Sequence, residues 1–214
     1  RLIGTDFQAP LGHLREYLQI SKALIQKGQV DYDGKYYQAH AQAGAALDVP
    51  VMASALRMRS FELCGEEADG AITWLCPAPY LRDVAVPGIR EGAKAKGREA
   101  PPLVAHAPVC VHDNPAEARA AMREQMGQYP SNAFYTQMLV EAGFPEVAET
   151  KAWNDRMIDA VMLHGGEAVV ETRLREMLAV GATEVIVSPV LAGADRAASL
   201  ERTLRLLAKV SSTL

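Results

Sequence analysis

Apolar positions along the chain alternate between helical spacing and short continuous runs. Across Gly12–Lys27, apolar side chains recur every three to four positions, which predicts an amphipathic helix with Gly28 as its stop. Val30–Tyr37 predicts a short hairpin, because Asp33-Gly34 suits a tight primed turn between aromatic and β-branched residues. The polar stretch that follows, to residue 47, is expected to be a loop.

From residue 48 onward, short apolar runs are separated by helical patterns. The runs predict strands at Asp48–Ala53, Gly70–Leu75, Leu103–His112 and Thr183–Pro189. The patterns between and after them predict helices at Arg57–Glu67, Tyr80–Lys96, Pro115–Gln128, Asn132–Ala142, Asn154–Leu163, Glu167–Val180 and Ala197–Val210. Short strands that are apolar throughout are typical of parallel strands buried on both faces. The predicted fold class is therefore α/β, in a single domain covering residues 1–214.

Two architectures fit this alternation, an open doubly wound sheet and a closed eight-stranded barrel. The chain has no GxGxxG at a strand–helix turn, which disfavours the dinucleotide-binding form of the open sheet. Several helices intervene between Pro115 and Thr183, which modestly favours a barrel with a helical insertion. Neither architecture normally opens on a helix and a hairpin, so we expect the sequence to begin partway through the fold.

Composition narrows the functional classes. The formal net charge of −4 and a pI of about 5.8 give no electrostatic reason to expect nucleic acid or anionic lipid as a partner. No apolar run approaches the roughly 20 residues of a membrane-spanning helix. Cys64, Cys76 and Cys110 are far apart, which favours reduced thiols in a cytoplasmic protein. The scattered histidines predict no metal site.

A family resemblance rests on the stretch VPVMASALRMRSFELCGEEADGAITWLCP, residues 49–77. It resembles the middle of luciferase-like monooxygenases, particularly the branch that uses the deazaflavin coenzyme F420, with the family's Ala-Gly-x-x-Ala-Asp-Gly element at Cys64–Gly70. Later segments of the chain also resemble the family and follow one another in the family's order, among them VCVHDNPAEAR at residues 109–119 and GATEVIVSP at residues 181–189. One departure is Ser54-Ala55-Leu56-Arg57, where many deazaflavin members carry Gly-Pro.

The resemblance implies a TIM (β/α)8 barrel of the luciferase-like type. These residues would be roughly strands five to eight, with a helical insertion before the last strand, and the family's N-terminal portion would be absent. It implies an oxidoreductase that transfers hydride between coenzyme F420 and a small organic substrate, in a homodimer. Two alternatives stay open, an FMN-dependent monooxygenase of the same fold and a non-catalytic, phosphate-binding α/β protein.

The first candidate site is a turn of small residues between a strand and a helix, at the strand end where barrels place function. Small side chains, free backbone N–H groups and the positive end of the helix dipole favour a phosphate. The resemblance places the phosphate of a flavin-type cofactor in this neighbourhood. The predicted cofactor-binding residues here are Ala53, Ser54, Ala55, Leu56, Arg57 and Arg59. The alternative interpretation is an ordinary tight turn with two solvated arginines.

Other candidates follow the later strands. Thr73 and Trp74 end the second predicted strand, and Trp74 is a candidate wall beside a flat cofactor ring or the substrate, although a barrel tryptophan is more often core. His106, inside the third strand, is the candidate catalytic residue, as a hydrogen-bonding group or proton donor to substrate. A satisfied buried histidine is the alternative.

Three further features carry weaker predictions. Ser188-Pro189 is a candidate for the pocket rim, although a strand end explains it equally well. Tyr129 and Tyr135 are candidates for substrate contact, with nothing in the sequence to favour this over packing. Cys76 and Cys110 are expected to be small apolar fillers.

Overall fold

The computed structural model describes residues 8–213, which divide by their contacts into two compact units. Unit 1 comprises residues 8–71 and Gly88–Pro101, and unit 2 comprises Ile72–Pro87 and residues 102–213. The division does not test the single-domain prediction, which stays a prediction. Parallel strands and helices confirm the α/β class.

Unit 1 holds the N-terminal helix and hairpin and the first strand–helix unit. Its elements are α1 (Pro10–Gln26), β1 (Gln29–Asp33), β2 (Gln38–Gln42), β3 (Met52–Ser54), α2 (Met58–Glu67), the start of β4 (Gly70–Trp74) and α4 (Val86–Ala95) from Gly88 onward. The predicted helices at Gly12–Lys27 and Arg57–Glu67 are confirmed to within two residues. The predicted strand Asp48–Ala53 is shorter and later than expected, at β3.

The hairpin was predicted with the wrong turn, because a side chain of α1 binds the backbone of the connecting loop. The carboxylate of Glu16, a buried residue, accepts the backbone N–H groups of Lys35, Tyr36 and Tyr37 at 2.8, 2.8 and 2.9 Å. Those N–H groups are therefore unavailable to a strand ladder, and residues 34–37 form a four-residue loop. The second strand, β2, accordingly lies in the stretch that was predicted to be a loop.

Glycines let α2 and α4 approach until their backbones touch. A β carbon built on Gly92 would lie 1.9 Å from the carbonyl oxygen of Glu62, and one on Gly65 would lie 2.1 Å from that of Ile89. Both distances are far below van der Waals contact, so only glycine fits either position. This close packing supports α2, whose first turn follows the small-residue segment of the candidate phosphate site.

Unit 2 holds the parallel sheet and most of the helices. Its elements are the end of β4, α3 (Ala78–Tyr80), a π-helical turn (Leu81–Ala85), β5 (Leu103–Val111), α5 (Pro115–Met126), a 3-10 turn (Tyr129–Ser131), α6 (Ala133–Glu141), α7 (Val147–Thr150), α8 (Asp155–Val161), β6 (Leu163–Gly165), α9 (Glu167–Ala179), β7 (Glu184–Pro189) and α10 (Arg196–Ser211). The strands predicted at Leu103–His112 and Thr183–Pro189 are confirmed as β5 and β7.

Strand β5 is the centre of the sheet in unit 2. All nine of its residues are buried, and it pairs in parallel with both β6 and β7. The register with β7 ends at Val109 opposite Pro189, so β5 continues past its neighbour. The hydroxyl of Thr203 on α10 accepts the N–H of Val111 at 3.2 Å, which satisfies a donor beyond the end of that ladder.

Three local features of unit 2 differ from the predicted elements. The helix predicted at Tyr80–Lys96 contains the π-helical turn just before Pro87, a residue that has no N–H for a regular helical bond. Strand β6 was not predicted, because three residues are too short for a strand pattern, and its first residue, Leu163, was predicted to end a helix. Helix α7 was not predicted.

The described part of the chain offers no membrane-spanning helix, no cluster of metal ligands and no disulfide bond. No helix within residues 8–213 is long and apolar enough to cross a membrane. Over the same residues, no three His, Cys, Asp or Glu side chains are grouped to hold a metal ion. Cys64, Cys76 and Cys110 are free and buried.

Candidate cofactor and substrate site

The first candidate segment lies in unit 1, where β3 leads into α2. Ala53 and Ala55 are buried, and Ser54 between them is exposed. The side-chain hydroxyl of Ser60 accepts the N–H groups of Leu56 and Arg57 at 3.1 and 3.0 Å. Two of the N–H groups that the sequence offered to a phosphate are therefore already used, and the turn is held in shape by them.

The start of α2 offers further backbone N–H donors at this turn. Met58 and Arg59 begin α2, and N–H groups in the first turn of a helix have no intrahelical acceptor. The side chain of Arg59 lines a surface cavity of about 270 Å³ with Arg15, Glu62 and Glu66, so two carboxylates lie in the same cavity. The exposed Ser54 and the helix start thus remain the features that suit an anion.

In unit 2, Trp74 and His106 form a stacked pair. The ring centroids are 3.4 Å apart, and the ring planes are inclined by 6°. Trp74 ends β4 and is half-buried, whereas His106, within β5, is only 1% exposed. Two of the residues predicted to act at the site are therefore in direct contact, with the indole on the more accessible side.

The imidazole of His106 is neutral. Burial lowers its pKa to about 4, and no charged group contributes to the shift. Its Nε2 lies 2.9 Å from the hydroxyl oxygen of Ser188 on β7, and which of the two donates depends on the imidazole tautomer. Its Nδ1 is buried and has no hydrogen-bond partner among residues 8–213. A buried ring nitrogen without a partner is costly, which makes this atom a candidate for a ligand contact.

Trp74 is held at its other end by the segment that follows α5. Its indole Nε1–H donates to the phenolic oxygen of Tyr129 at 3.0 Å. Tyr129 in turn packs edge-on against Tyr135, with ring centroids 4.8 Å apart and planes inclined by 77°. We name Trp74, His106, Ser188, Tyr129 and Tyr135 the aromatic cluster.

The residues around Trp74 separate onto two faces of β4. Thr73 is fully buried, and successive residues of a strand point to opposite faces, so it does not share a surface with Trp74. The next residue, Leu75, has a φ of 60°, a left-handed conformation that is unfavourable for a side chain of its kind. Strained backbone of this type concentrates at functional sites, which makes the turn after β4 a candidate for one.

The cysteine predictions agree with the structure. Burial raises the pKa of Cys76 to about 12 and that of Cys110 to about 11, so both thiols are protonated at neutral pH. Each is buried as an apolar filler would be.

Two members of the aromatic cluster had only a weak signal in the sequence. Ser188 is 82 residues from His106, and the contact depends on the register that pairs His106 with Ile186 and so places Ser188 two residues further along β7. Tyr129 is 55 residues from Trp74 and lies in a short 3-10 turn with no periodic pattern. An expectation that β5 and β7 are neighbours would have pointed to Ser188.

The chain matches a known protein family along nearly its whole length. The model of the luciferase-like monooxygenase family matches residues 1–202. The chain is 26% identical over 219 residues to a 5,10-methylenetetrahydromethanopterin reductase from Methanopyrus kandleri, covering 92% of this chain and 62% of the relative. The chain thus spans less than two thirds of that relative's length.

Solved structures give the same fold. One is an F420-dependent secondary alcohol dehydrogenase in complex with an F420–acetone adduct, with a TM-score of 0.74 and 16% identity over 97% of this chain and 64% of that one. Another is the oxygenating constituent of 3,6-diketocamphane monooxygenase from Pseudomonas putida in complex with FMN, with a TM-score of 0.56 and 17% identity over 92% of this chain and 61% of that one. At these identities the likeness concerns the fold.

Proposed function

The chain belongs to the luciferase-like monooxygenase family, and from that premise we propose that it is an oxidoreductase that uses the deazaflavin coenzyme F420 with a small organic substrate. The observation that carries the proposal is the aromatic cluster in unit 2. Relatives named as methylenetetrahydromethanopterin reductases, and a structural neighbour named as F420-dependent, support the choice of cofactor.

The aromatic cluster suits a flat, uncharged ring. Trp74 offers a half-buried indole, and flat aromatic systems stack on such a surface. His106 supports that indole from behind at 3.4 Å, and its neutral imidazole adds no charge. Because the indole covers the buried imidazole, the role we propose for His106 is to hold Trp74 in place.

When bound, deazaflavin supplies a hydride at its ring, whereas it activates oxygen poorly. The chain's own residues would hold substrate and ring in contact and exclude water from them. His106, with its pKa near 4, carries no proton to donate as an imidazolium at neutral pH. Its proposed task is therefore to orient the indole of Trp74, rather than to supply a proton.

In unit 1, we propose separately that the turn Ala53–Arg57 and the start of α2 bind a phosphate group. The support is the exposed Ser54 between two buried alanines and the unpaired N–H groups that a helix start offers. Arg57 and Arg59 add positive charge to the same turn. Leu56 acts through its backbone, which Ser60 fixes.

The finer fold assignment is also a proposal. We infer that the strands after the hairpin are roughly strands five to eight of a luciferase-like (β/α)8 barrel. A TM-score of 0.74 to a neighbour of which the chain covers 64% supports this. Homodimerisation, which the family resemblance implies, stays a prediction.

A titration of the full-length protein tests the cofactor proposal. Coenzyme F420 and FMN are both fluorescent, so the anisotropy of each reports binding directly. We expect saturable binding of coenzyme F420 and at least tenfold weaker binding of FMN. Tighter binding of FMN would favour the flavin monooxygenase, and no binding of either would favour the non-catalytic alternative.

Matched variants locate the phosphate. Ser54→Asp places a negative charge in the turn and should weaken the binding of inorganic phosphate at least tenfold, because like charges repel. Ser212→Asp makes the same change at an exposed site after α10 and serves as the control. Equal affinities for the two variants would contradict the phosphate assignment.

A further inference from the structure

Tyr129 has a hydroxyl hydrogen that no neighbour accepts. An indole Nε1–H can only donate, so in the contact between Trp74 and Tyr129 the phenolic oxygen is the acceptor. The hydroxyl of Tyr129 therefore keeps its own hydrogen for another partner. Among residues 8–213, no side chain or carbonyl group accepts it. Tyr129 is half-buried, so a ligand beside Trp74 can reach this hydrogen.

The titratable neighbours of Tyr129 within the aromatic cluster, Tyr135 and His106, are uncharged. Burial raises the pKa of Tyr135 to about 12, and the neighbours that add to the shift are Tyr129 and Cys76 rather than a carboxylate. Burial alone lowers the pKa of His106 to about 4, so the histidine is neutral as well. A ligand carboxylate or phosphate placed here would lose its hydration without gaining a cation from the cluster.

We propose that Tyr129 is a further catalytic residue, which donates a hydrogen bond to the substrate's oxygen, and that the reacting group of the substrate is an uncharged carbonyl or alcohol. This inference rests on the proposed hydride transfer. The indole of Trp74 is the positioning group, because its N–H fixes the phenolic oxygen at 3.0 Å.

The chemistry balances in the direction of reduction. With a reduced deazaflavin bound, the coenzyme would supply the hydride for the new C–H bond and would itself be oxidised, and the π electrons of the carbonyl would move onto its oxygen. Tyr129 gives that oxygen its phenolic proton, so an alcohol forms. The phenolate is stabilised by the Trp74 N–H and recovers a proton from water. In the reverse direction the same oxygen takes the proton of the alcohol.

The test compares Tyr129→Phe with Tyr17→Phe. Tyr17 is an exposed residue of α1 outside the aromatic cluster, so its variant loses the same hydroxyl and serves as the control. The probes are acetophenone and benzoate, which share a phenyl ring and differ in the charge on oxygen. Their binding to the full-length, coenzyme-loaded protein is measured by saturation-transfer NMR, and the affinity for coenzyme F420 is measured on the same samples.

We expect the wild-type protein to bind acetophenone and to bind benzoate at least tenfold more weakly. Tyr129→Phe should weaken acetophenone binding roughly three- to tenfold, the size of one net hydrogen bond, and Tyr17→Phe should change it less than twofold. On any ketone that the enzyme reduces, Tyr129→Phe should lower kcat about 10²-fold, the usual contribution of a general acid.

Two results would overturn the inference, namely unchanged acetophenone binding in Tyr129→Phe, or a wild-type protein that prefers benzoate or ignores acetophenone. Failure of the proposed function is a different result. It would appear as a wild-type protein that does not bind coenzyme F420, whatever it does with acetophenone.

Discussion

The buried, neutral His106 predicts how the stability of this protein depends on pH. The unfolded chain binds a proton at this imidazole with a pKa of about 6.5, whereas burial lowers the pKa in the folded protein to about 4. Between these values the unfolded state binds more protons than the folded state. Stability is therefore fully present above pH 6.5 and is lost as the pH falls toward 4.

The size of this effect follows from the two pKa values. The linkage relation gives a loss of roughly 2 kcal/mol of unfolding free energy between pH 7 and pH 5 from His106 alone. That is a large fraction of the 5–15 kcal/mol by which domains are usually stable. His106→Gln removes the titrating group and keeps a hydrogen-bonding side chain of similar reach.

Urea unfolding at pH 7 and pH 5 measures the effect. We expect the wild-type protein to lose about 2 kcal/mol more than His106→Gln between the two pH values. His40 provides a control of opposite sign, because Asp31 and Asp33 raise its pKa and its contribution is lost as the pH rises. Equal pH dependence in the wild-type protein and His106→Gln would refute a neutral, buried imidazole in the candidate site.

Three further predictions concern other parts of the fold. Thr203→Val leaves the N–H of Val111 without its acceptor and should lower the unfolding free energy by about 1–3 kcal/mol in urea, whereas Thr203→Ser should retain most of it. Gly92→Ala forces α2 and α4 apart and should destabilise by about 1–2 kcal/mol in the same assay, despite the helix preference of alanine. Glu16→Gln should speed hydrogen exchange of the amides in the loop at residues 35–37, and unchanged exchange would contradict the role of that carboxylate.

Local patterns predicted most of the helices and the long strands. The apolar spacing of α1 and the buried run of β5 depend on neighbours in sequence, and Asn114 caps α5 as its residue type indicates. The hairpin turn was missed because Glu16, about twenty residues away, decides where the N–H groups of the loop bond. The π-helical turn and β6 were missed because short irregular pieces carry no periodicity.

The candidate site was predicted as separate residues rather than as an arrangement. Sequence and family resemblance selected Trp74 and His106, but their stacking depends on how β4 and β5 lie side by side. The contact between His106 and Ser188 depends in the same way on the register of β7. Thr73 was grouped with Trp74 because they are adjacent in sequence, although strand alternation places them on opposite faces.

The most direct test of the central claim is the dissociation constant of coenzyme F420 for the full-length protein and its Trp74→Ala variant. The claim is that Trp74, supported by His106, is the surface on which the deazaflavin ring packs. A stacked ring contributes about 1–3 kcal/mol, so we predict at least a fivefold to tenfold loss of affinity in the variant. Affinities that agree within twofold would contradict the claim.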